Sequence, residues 1–262
     1  MTHRFKNNLA LSLFISGALF CGACGSSTEI ASDPAHKIEV LSGASADGCY
    51  TELSVKIGGD QLPLTGQNVE NPAFAPQIFF SGDAQKLFLL LTENEGSGMY
   101  LSSPHIFDLS QDEPTELACE DAVSFLGKNL YSSVSQDGIV TLTLPEQTLC
   151  YDVSSIESPE TLFDALSYEG NVRYFVKNDT LFCDLAIQFS PTGSLGTVRL
   201  EYEPARDGYQ VRTMTFEAAE EMAGCEVSPS PSAIVHPRHD PQKNPDLLLQ
   251  PLPISGQLPD IP

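Results

Sequence analysis

Residues 171–216 decide the fold class, and they read NVRYFVKNDTLFCDLAIQFSPTGSLGTVRLEYEPARDGYQVRTMTF. Apolar and polar residues alternate through this stretch, which is the pattern of a β-strand with one buried and one solvated face. Short turn sequences separate the alternating runs: Asn178-Asp179, Pro191-Thr-Gly-Ser194 and Arg206-Asp207-Gly208. Strands joined by such turns predict an antiparallel meander in this part of the chain.

The strand pattern also covers the chain before this stretch. It starts at about Ile38, and two apolar runs of strand length, 77–80 and 86–91, flank the turn Ser81-Gly82-Asp83. Strand-like segments follow at 123–126, 130–134 and 138–144.

We therefore expect an all-β domain over residues 37–225, built as an antiparallel β-sandwich or a related assembly. The alternative is a pair of smaller β units divided near residues 150–170. Two short segments predict helices within the domain. Ser158-Pro159-Glu160 supplies a Ser N-cap, a proline in the first turn and an acidic residue, for a helix that ends near Gly170. Residues 217–223 predict a second helix of two turns.

The two ends of the chain differ in composition from this domain. Residues 24–36 are small and polar, which predicts a flexible tether. Residues 226–262 hold nine of the 19 prolines and show little periodicity. This composition predicts a disordered, Pro-rich tail.

Residues 1–23 have the three parts of a secretory signal. Arg4 and Lys6 supply a basic start, an apolar run covers 9–20, and small residues follow it. The run has about a dozen residues, whereas a membrane-spanning helix needs roughly 20. We therefore expect a cleaved signal peptide rather than an uncleaved anchor.

The segment Cys21-Gly22-Ala23-Cys24 resembles the lipobox of bacterial lipoproteins. Cys21 stands where the family usually has leucine. The resemblance covers about the first 25 residues, and it implies that Cys24 is acylated and becomes the mature N-terminus. Gly25 after the cysteine, rather than Asp, implies delivery to the outer membrane, on its periplasmic or surface face. The alternative is a signal peptidase I signal with an incidental Cys24.

The chain is strongly acidic, with 13 Lys and Arg against 35 Asp and Glu and a net charge of −22. Cleavage of residues 1–23 removes two basic residues and no acidic one, which brings the mature chain near −24. Nucleic-acid binding and docking onto anionic lipid headgroups both need Lys and Arg, so the charge argues against them. Solubility is the simplest reason for the acidity, and binding of a cation such as calcium is the alternative.

Cysteine spacing gives a second indication of the compartment. No CxxC pair occurs beyond the signal, which argues against a zinc knuckle or a thioredoxin-like site. An exported chain meets oxidising conditions, where cysteines pair. Five cysteines follow Cys24, at positions 49, 119, 150, 183 and 225. Because five is an odd number, we expect two disulfides and one free thiol. Fifteen different pairings satisfy this expectation. The local pairs Cys119–Cys150 and Cys183–Cys225 are preferred, and they leave Cys49 free.

Motifs for catalysis are not found in the sequence. There is no Gly-x-Ser-x-Gly elbow, no HExxH and no calcium-loop series of aspartates. His105 is the one histidine inside the expected domain, and a lone histidine beside apolar residues is typical of a packed or surface side chain. No catalytic residue, metal or cofactor is expected from these patterns.

Two hypotheses about function follow. The first is a lipid-anchored envelope protein that is bound to the membrane through its lipid and acts as a binding or structural module, with an envelope protein or a glycan as its partner. The second is a carbohydrate-active or other hydrolase that uses paired carboxylates in a deep cleft. The absence of motifs favours the first, and the abundance of Asp and Glu allows the second.

Overall fold

The computed structural model describes residues 27–220 and 222–225. The expected signal peptide, Cys24 and the Pro-rich tail lie outside this part of the chain. The described residues contain seventeen strands and one α-helix, so the all-β prediction is confirmed. The elements in chain order are β1 (Thr28–Asp33), β2 (Ile38–Ala46), β3 (Cys49–Ile57), β4 (Asp60–Pro63), β5 (Asn68–Val69), β6 (Gln77–Phe80), β7 (Lys86–Gly96), β8 (Met99–Asp108), β9 (Thr115–Cys119), α1 (Ala122–Asn129), β10 (Tyr131–Val134), β11 (Ile139–Thr143), β12 (Thr148–Asp152), β13 (Asn171–Lys177), β14 (Thr180–Gln188), β15 (Ser194–Ala205), β16 (Gly208–Ala218) and β17 (Ala223–Gly224).

These strands form three sheets. The first sheet has the order β1-β2-β3-β4, and β5 also pairs with β3. The second sheet has the order β10-β11-β12-β17. The large sheet has eight strands in the order β13-β14-β15-β16-β9-β8-β7-β6.

The meander expected over residues 171–216 is present as β13 to β16, with consecutive strands antiparallel. Lys177 pairs with Thr180, so Asn178 and Asp179 form a two-residue turn in which both φ angles are positive, 50° and 63°. Asn and Asp tolerate this conformation, which suits the right-handed twist of a hairpin. The expected hairpin of 77–80 with 86–91 is present as well, since Gln77 pairs with Leu90 and Phe80 with Leu87.

β7 is apolar on both faces because two hydrophobic cores lie against it. Phe88 and Leu90 belong to the first core, which is built from β13 to β16, α1 and the second sheet. Leu87, Leu89 and Leu91 belong to the second core, between β7 and the first sheet. Successive side chains of a strand point to opposite faces, so a strand between two cores needs an unbroken apolar run. Residues that precede position 150 and residues that follow position 170 pack together in the first core. They belong to one compact unit, which ends at Cys225.

The large sheet closes on itself, which the sequence did not predict. One edge of β8 pairs with β7 along its whole length, whereas its other edge pairs with β9 near one end and with β13 near the other. The pairings then run through β9, β16, β15, β14 and β13 and return to β8. Two of these junctions, β9 with β16 and β13 with β8, are parallel and only two residue pairs long.

Both helix predictions are wrong. Pro159–Thr161 forms only a 3-10 turn, and the side chain of Ser158 makes no capping hydrogen bond. The backbone N–H groups of Phe163 and Ser167 donate instead to the distant carbonyls of Phe189 and Gln188. Glu217 and Ala218 instead end β16, Ala219 and Glu220 lie outside any strand, and β17 begins at Ala223.

The α-helix lies where the sequence predicted a strand at 123–126. Asp121 is its N-cap, and the carboxylate accepts a hydrogen bond from the Ser124 N–H at 2.7 Å. Ala122 and Leu126 are buried on one side of the helix. Eight residues are too few for a clear helical period, so local pattern alone did not reveal it.

The tether prediction is wrong for residues 28–33, which form β1 and pair with β2. Asp33 ends this strand, and its carboxylate accepts hydrogen bonds from the N–H groups of Ala35 and His36 in the following turn. Small polar residues alone predict flexibility, but pairing with a neighbouring strand orders them here.

The preferred disulfides are also wrong. The structure joins Cys150 to Cys225, with the two Cα atoms 5.2 Å apart and 75 residues apart in sequence. β17 brings Cys225 beside β12, where its N–H donates to the carbonyl of Cys150. Within the described residues the free thiols are Cys49, Cys119 and Cys183.

Among the residues with described structure, no helix combines the length and the apolar character that crossing a membrane requires.

Candidate functional site

A cleft of about 380 Å³ opens at the interrupted edge of β8, and we call it the β8 cleft. β9 pairs with β8 at Ile106–Asp108 and β13 pairs with it at Tyr100 and Leu101, so the middle of this edge has no strand beside it. The cleft is lined by Thr65, Pro104, His105, Glu116, Leu117, Ala118, Cys119, Asp121 and Tyr174.

A serine side chain holds β13 to β8 at the border of this gap. The hydroxyl of Ser102 donates to the Val172 carbonyl at 3.2 Å and accepts from the Tyr174 N–H at 2.8 Å. Pro104 follows two residues later and has no N–H to offer a neighbouring strand. The strands therefore separate here without leaving the buried Tyr174 amide unpaired.

His105 is the central polar side chain of the β8 cleft. It is only 5% exposed, and its Nδ1 lies 2.6 Å from Oε1 of Glu116 on β9. Glu116 pairs with Phe107 across the strands, so it lies on the same sheet face as His105, one diagonal step away. An ionised carboxylate can only accept, so the Nδ1–H of His105 donates this bond.

Nε2 of His105 has no hydrogen-bond partner among residues 27–220 and 222–225. A histidine held by an acid on one nitrogen is two-thirds of a catalytic triad, and the missing member would be a hydroxyl or thiol on the other nitrogen. The described structure does not assemble that third member. Among the described residues, His105 and Glu116 therefore form a hydrogen-bonded pair at the wall of the cleft without a third member.

Asp121 and Tyr174 also line the β8 cleft. Asp121 uses Oδ1 to cap α1. The hydroxyl of Tyr174 accepts from the Ala122 N–H at 3.3 Å and lies 3.4 Å from the hydroxyl of Tyr202. Burial raises the pKa of Tyr174, so its phenol stays neutral at physiological pH.

Cys119 lines the cleft with a thiol that resists ionisation. Burial, followed by the nearby charges of Glu120 and Asp121, raises the pKa of Cys119 to about 12. Burial also raises the pKa of Cys183 in the first core. The thiolate is the nucleophilic form of cysteine, so neither side chain suits nucleophilic catalysis at neutral pH.

A second cleft, of about 540 Å³, lies beside the first and shares Ala118 and Cys119 with it. We call it the turn cleft because the β15–β16 turn forms one wall. Its remaining lining residues are Glu120, Ala205, Arg206, Asp207, Gly208, Tyr209 and Gln210.

Among the described residues, five carboxyl groups with a lowered pKa lie outside both clefts. Hydrogen bonds from neighbouring groups lower the pKa of Asp33, Asp83, Asp108, Asp152 and Glu157. The carboxylates that line the β8 cleft are Glu116 and Asp121. Within the described part of the chain, no three His, Cys, Asp or Glu side chains are grouped so that they could hold a metal ion.

Comparisons with protein-family models, with curated proteins and with solved structures each find no match for this chain.

Sequence reasoning singled out His105 but not Glu116, its partner. The signal that could have found Glu116 is the hairpin formed by β8 and β9, because its register places both side chains on one face. The other expected site residue, Cys24, lies outside the described part of the chain.

Proposed function

We propose that this protein is an exported bacterial lipoprotein, held in the cell envelope by lipid on Cys24, whose β domain binds a ligand or partner rather than catalysing a reaction. The observation that carries the proposal is the disulfide between Cys150 and Cys225. Stable disulfides form outside the reducing cytosol, which agrees with the signal and lipobox pattern of the first 25 residues.

Two further features support a lipid anchor. The net charge of −22 would repel the domain from anionic headgroups, so a lipid rather than a basic surface must hold it there. β1 begins at Thr28, and four extended residues span at most about 14 Å. An acylated Cys24 would therefore keep the domain close to the membrane surface, which we place at the outer membrane.

The binding role rests on the clefts. The β8 cleft combines a buried, oriented histidine with two carboxylates, but its thiol stays protonated and its histidine has no nucleophile beside it. An envelope protein or a glycan fits this description as a partner.

Mass spectrometry of the mature protein, purified from membranes of a bacterium that processes lipoproteins, tests the anchor. The expected N-terminal peptide begins at Cys24 and carries a diacylglyceryl group. Cys24→Ser should release the protein from the membrane fraction, whereas Cys21→Ser serves as the matched control and should leave it attached. An unmodified N-terminus at another residue would overturn the proposal.

A further inference from the structure

We infer that two copies of this chain pair through the free edge of β10, which joins their second sheets into one continuous antiparallel sheet. The inference goes beyond the proposed function and rests on it in one respect, because lipid on Cys24 would confine the copies to one membrane. Three observations carry it: the outward backbone groups of β10, the distribution of charge along this edge, and the exposed side chain of Tyr131.

The first observation is the unpaired edge of β10. This strand ends the second sheet and pairs only with β11. The N–H of Ser135 donates to the carbonyl of Ile139, and hydrogen-bonded residues alternate along an antiparallel pair. Ser132 and Val134 therefore point their N–H and C=O groups away from β11. Among the described residues, no backbone hydrogen bond from another element reaches these groups.

The other strands at the ends of the three sheets are protected against such pairing. β1 carries Glu29 and Asp33 and contains a bulge, and β4 carries Asp60 and Pro63. β6 lies beside β1, β13 pairs with β8, and β17 is only two residues long. Charges, proline, bulges and covering elements all prevent edge-to-edge association. β10 has none of these features over Tyr131–Val134.

A second copy can satisfy this edge completely. When two β10 strands lie antiparallel about Ser133, Ser132 of each copy faces Val134 of the other, and each such pair exchanges both N–H···O=C bonds. The two Ser133 residues then lie directly opposite each other, with their Cβ atoms about 4.5–5.5 Å apart. The contact is the same patch on both copies, as a two-fold dimer requires.

The second observation is charge. Residues 129–136 are all uncharged, in a chain with a net charge of −22, so this edge brings no carboxylates together. Lys128 precedes the run and Asp137 follows it, and both are exposed. Neither belongs to an ion pair within the described structure. Antiparallel pairing brings Lys128 of each copy towards Asp137 of the other, so opposite charges favour this arrangement.

The third observation is Tyr131. Its side chain is 68% exposed, whereas the other exposed large apolar side chains of the described residues, Met99 and Ile156, are each 43% exposed. Tyr131 and Ser133 are two residues apart on one strand and so lie on the same face. In the antiparallel pairing, Tyr131 lies across from Ser135 of the other copy and covers the junction of the two sheets. Tyrosine is enriched among the residues that contribute most to protein interfaces.

The size of the edge sets where pairing occurs. A strand of four residues makes a smaller interface than the roughly 1,200–2,000 Å² of a stable complex. We therefore expect free copies to stay monomeric in dilute solution. Copies anchored by lipid share one plane, which raises their effective concentration. Pairing is thus expected on the membrane, and in solution only at high concentration.

Disulfide trapping of the full chain in bacterial membranes tests the inference. Ser133→Cys places the two thiols opposite each other, so mild oxidation should give a covalent dimer. Tyr131→Cys is the matched control on the same strand and face, because its two thiols would lie about 14 Å apart. Ser97→Cys, in the exposed turn between β7 and β8, measures random collisions, and the wild type measures the background from Cys49. Ser133→Cys should give at least about tenfold more dimer than either control variant.

A second substitution blocks the edge. Ser132→Pro removes an outward N–H but no hydrogen bond to β11, and edge strands tolerate proline at such positions. Added to Ser133→Cys, it should reduce the dimer to the level of Ser97→Cys. Equal dimer yields from Ser133→Cys and Tyr131→Cys would overturn the inference. A link from Ser133→Cys to another protein in place of a second copy would overturn it as well.

A second arm separates this inference from the lipid anchor. The full chain with Ser133→Cys is purified in a non-ionic detergent and oxidised at roughly millimolar concentration, where weak association is populated. If Cys24 carries no lipid, all variants lose their dimer in the membrane arm alike, whereas the concentrated solution still gives the Ser133→Cys dimer. Absence of this dimer from both arms would overturn the inference and leave the anchoring half of the proposed function intact.

Discussion

The two edges of β8 differ in how completely they are paired. Towards β7 the pairing is continuous from Met99 to Asp108, apart from one bulge. Towards the opposite side only the two ends of β8 are paired, and the cleft with His105 lies between them. One strand therefore contributes a structural edge and an open edge, and the candidate binding site arises where the sheet fails to close completely.

This difference shows what a closed circuit of strands requires. Short junctions of two residue pairs supply few backbone hydrogen bonds, so side chains must reinforce them. Ser102 does so between β8 and β13, and Glu120 does so beside the junction of β9 with β16, where its carboxylate accepts from the Val211 N–H. The pairing of β8 with β7 needs no such reinforcement, because a hydrophobic core packs against each face of β7.

The largest effect is expected at the continuous edge. Leu87→Ala removes a fully buried side chain from the second core and should lower the free energy of unfolding by about 2–5 kcal/mol. Urea denaturation measures the change. Met99→Ala, at an exposed position of β8, is the control and should change stability by no more than about 0.5 kcal/mol. A loss in Leu87→Ala as small as in the control would contradict two-sided burial of β7.

The next effect concerns the disulfide. Cys225→Ser opens a link between residues that are 75 apart, which should cost up to about 4 kcal/mol on the chain-entropy model and often less. The comparison is with Cys49→Ser, which alters a free thiol. Thermal unfolding of both variants should separate them clearly. Equal melting temperatures would show that the disulfide does not hold β17 to the second sheet.

The next prediction has a smaller expected effect and tests the open edge of β8. Ser102→Ala deletes a hydroxyl that bonds both the Val172 carbonyl and the Tyr174 N–H, and should cost about 1–3 kcal/mol. Ser103→Ala removes a hydroxyl without a partner and should be neutral or slightly stabilising. Because the two serines are neighbours, equal losses of stability would argue against the role given to Ser102.

The smallest effect is a pH dependence at the continuous edge. Lys86, with Nζ 2.8 Å from the Asp108 carboxylate, and then the Ser110 side chain and N–H hold the pKa of Asp108 well below its usual value. A lowered folded-state pKa adds stability above the unfolded pKa, near 3.9, and that stability is lost as the pH falls further. Melting curves of Asp108→Asn should therefore lie below those of the wild type at neutral pH and converge with them in acid. Asp137→Asn, in an exposed turn, is the control, and its melting curves should coincide with those of the wild type at every pH.

Local sequence pattern predicted the parts of the fold that local pairing creates. The alternating pattern predicted the strands β13 to β16, and the apolar run predicted β7. Asn178-Asp179 predicted the turn between β13 and β14. The helix at Asp121 was missed because it is short and follows a strand directly. β1 was missed because its small polar residues become ordered only when they pair with β2.

The site could be predicted only in part, since it depends on contacts between distant segments. His105 was visible as the one histidine in the domain, but the cleft needs β13 to lie beside β8. No spacing rule selects Cys150 and Cys225 from 15 arrangements, because their proximity depends on where β17 joins the second sheet. Closure of the large sheet is likewise set by the whole chain rather than by any one segment.

The most direct test of the division between the two edges of β8 measures the free energy of unfolding of two variants by urea denaturation. Leu87→Ala, at the continuous edge, should lower this free energy by about 2–5 kcal/mol. Glu116→Gln, at the open edge, keeps an acceptor for the Nδ1–H of His105 and should lower it by no more than about 1 kcal/mol. Equal losses in the two variants would contradict the separation of a structural edge from an open edge.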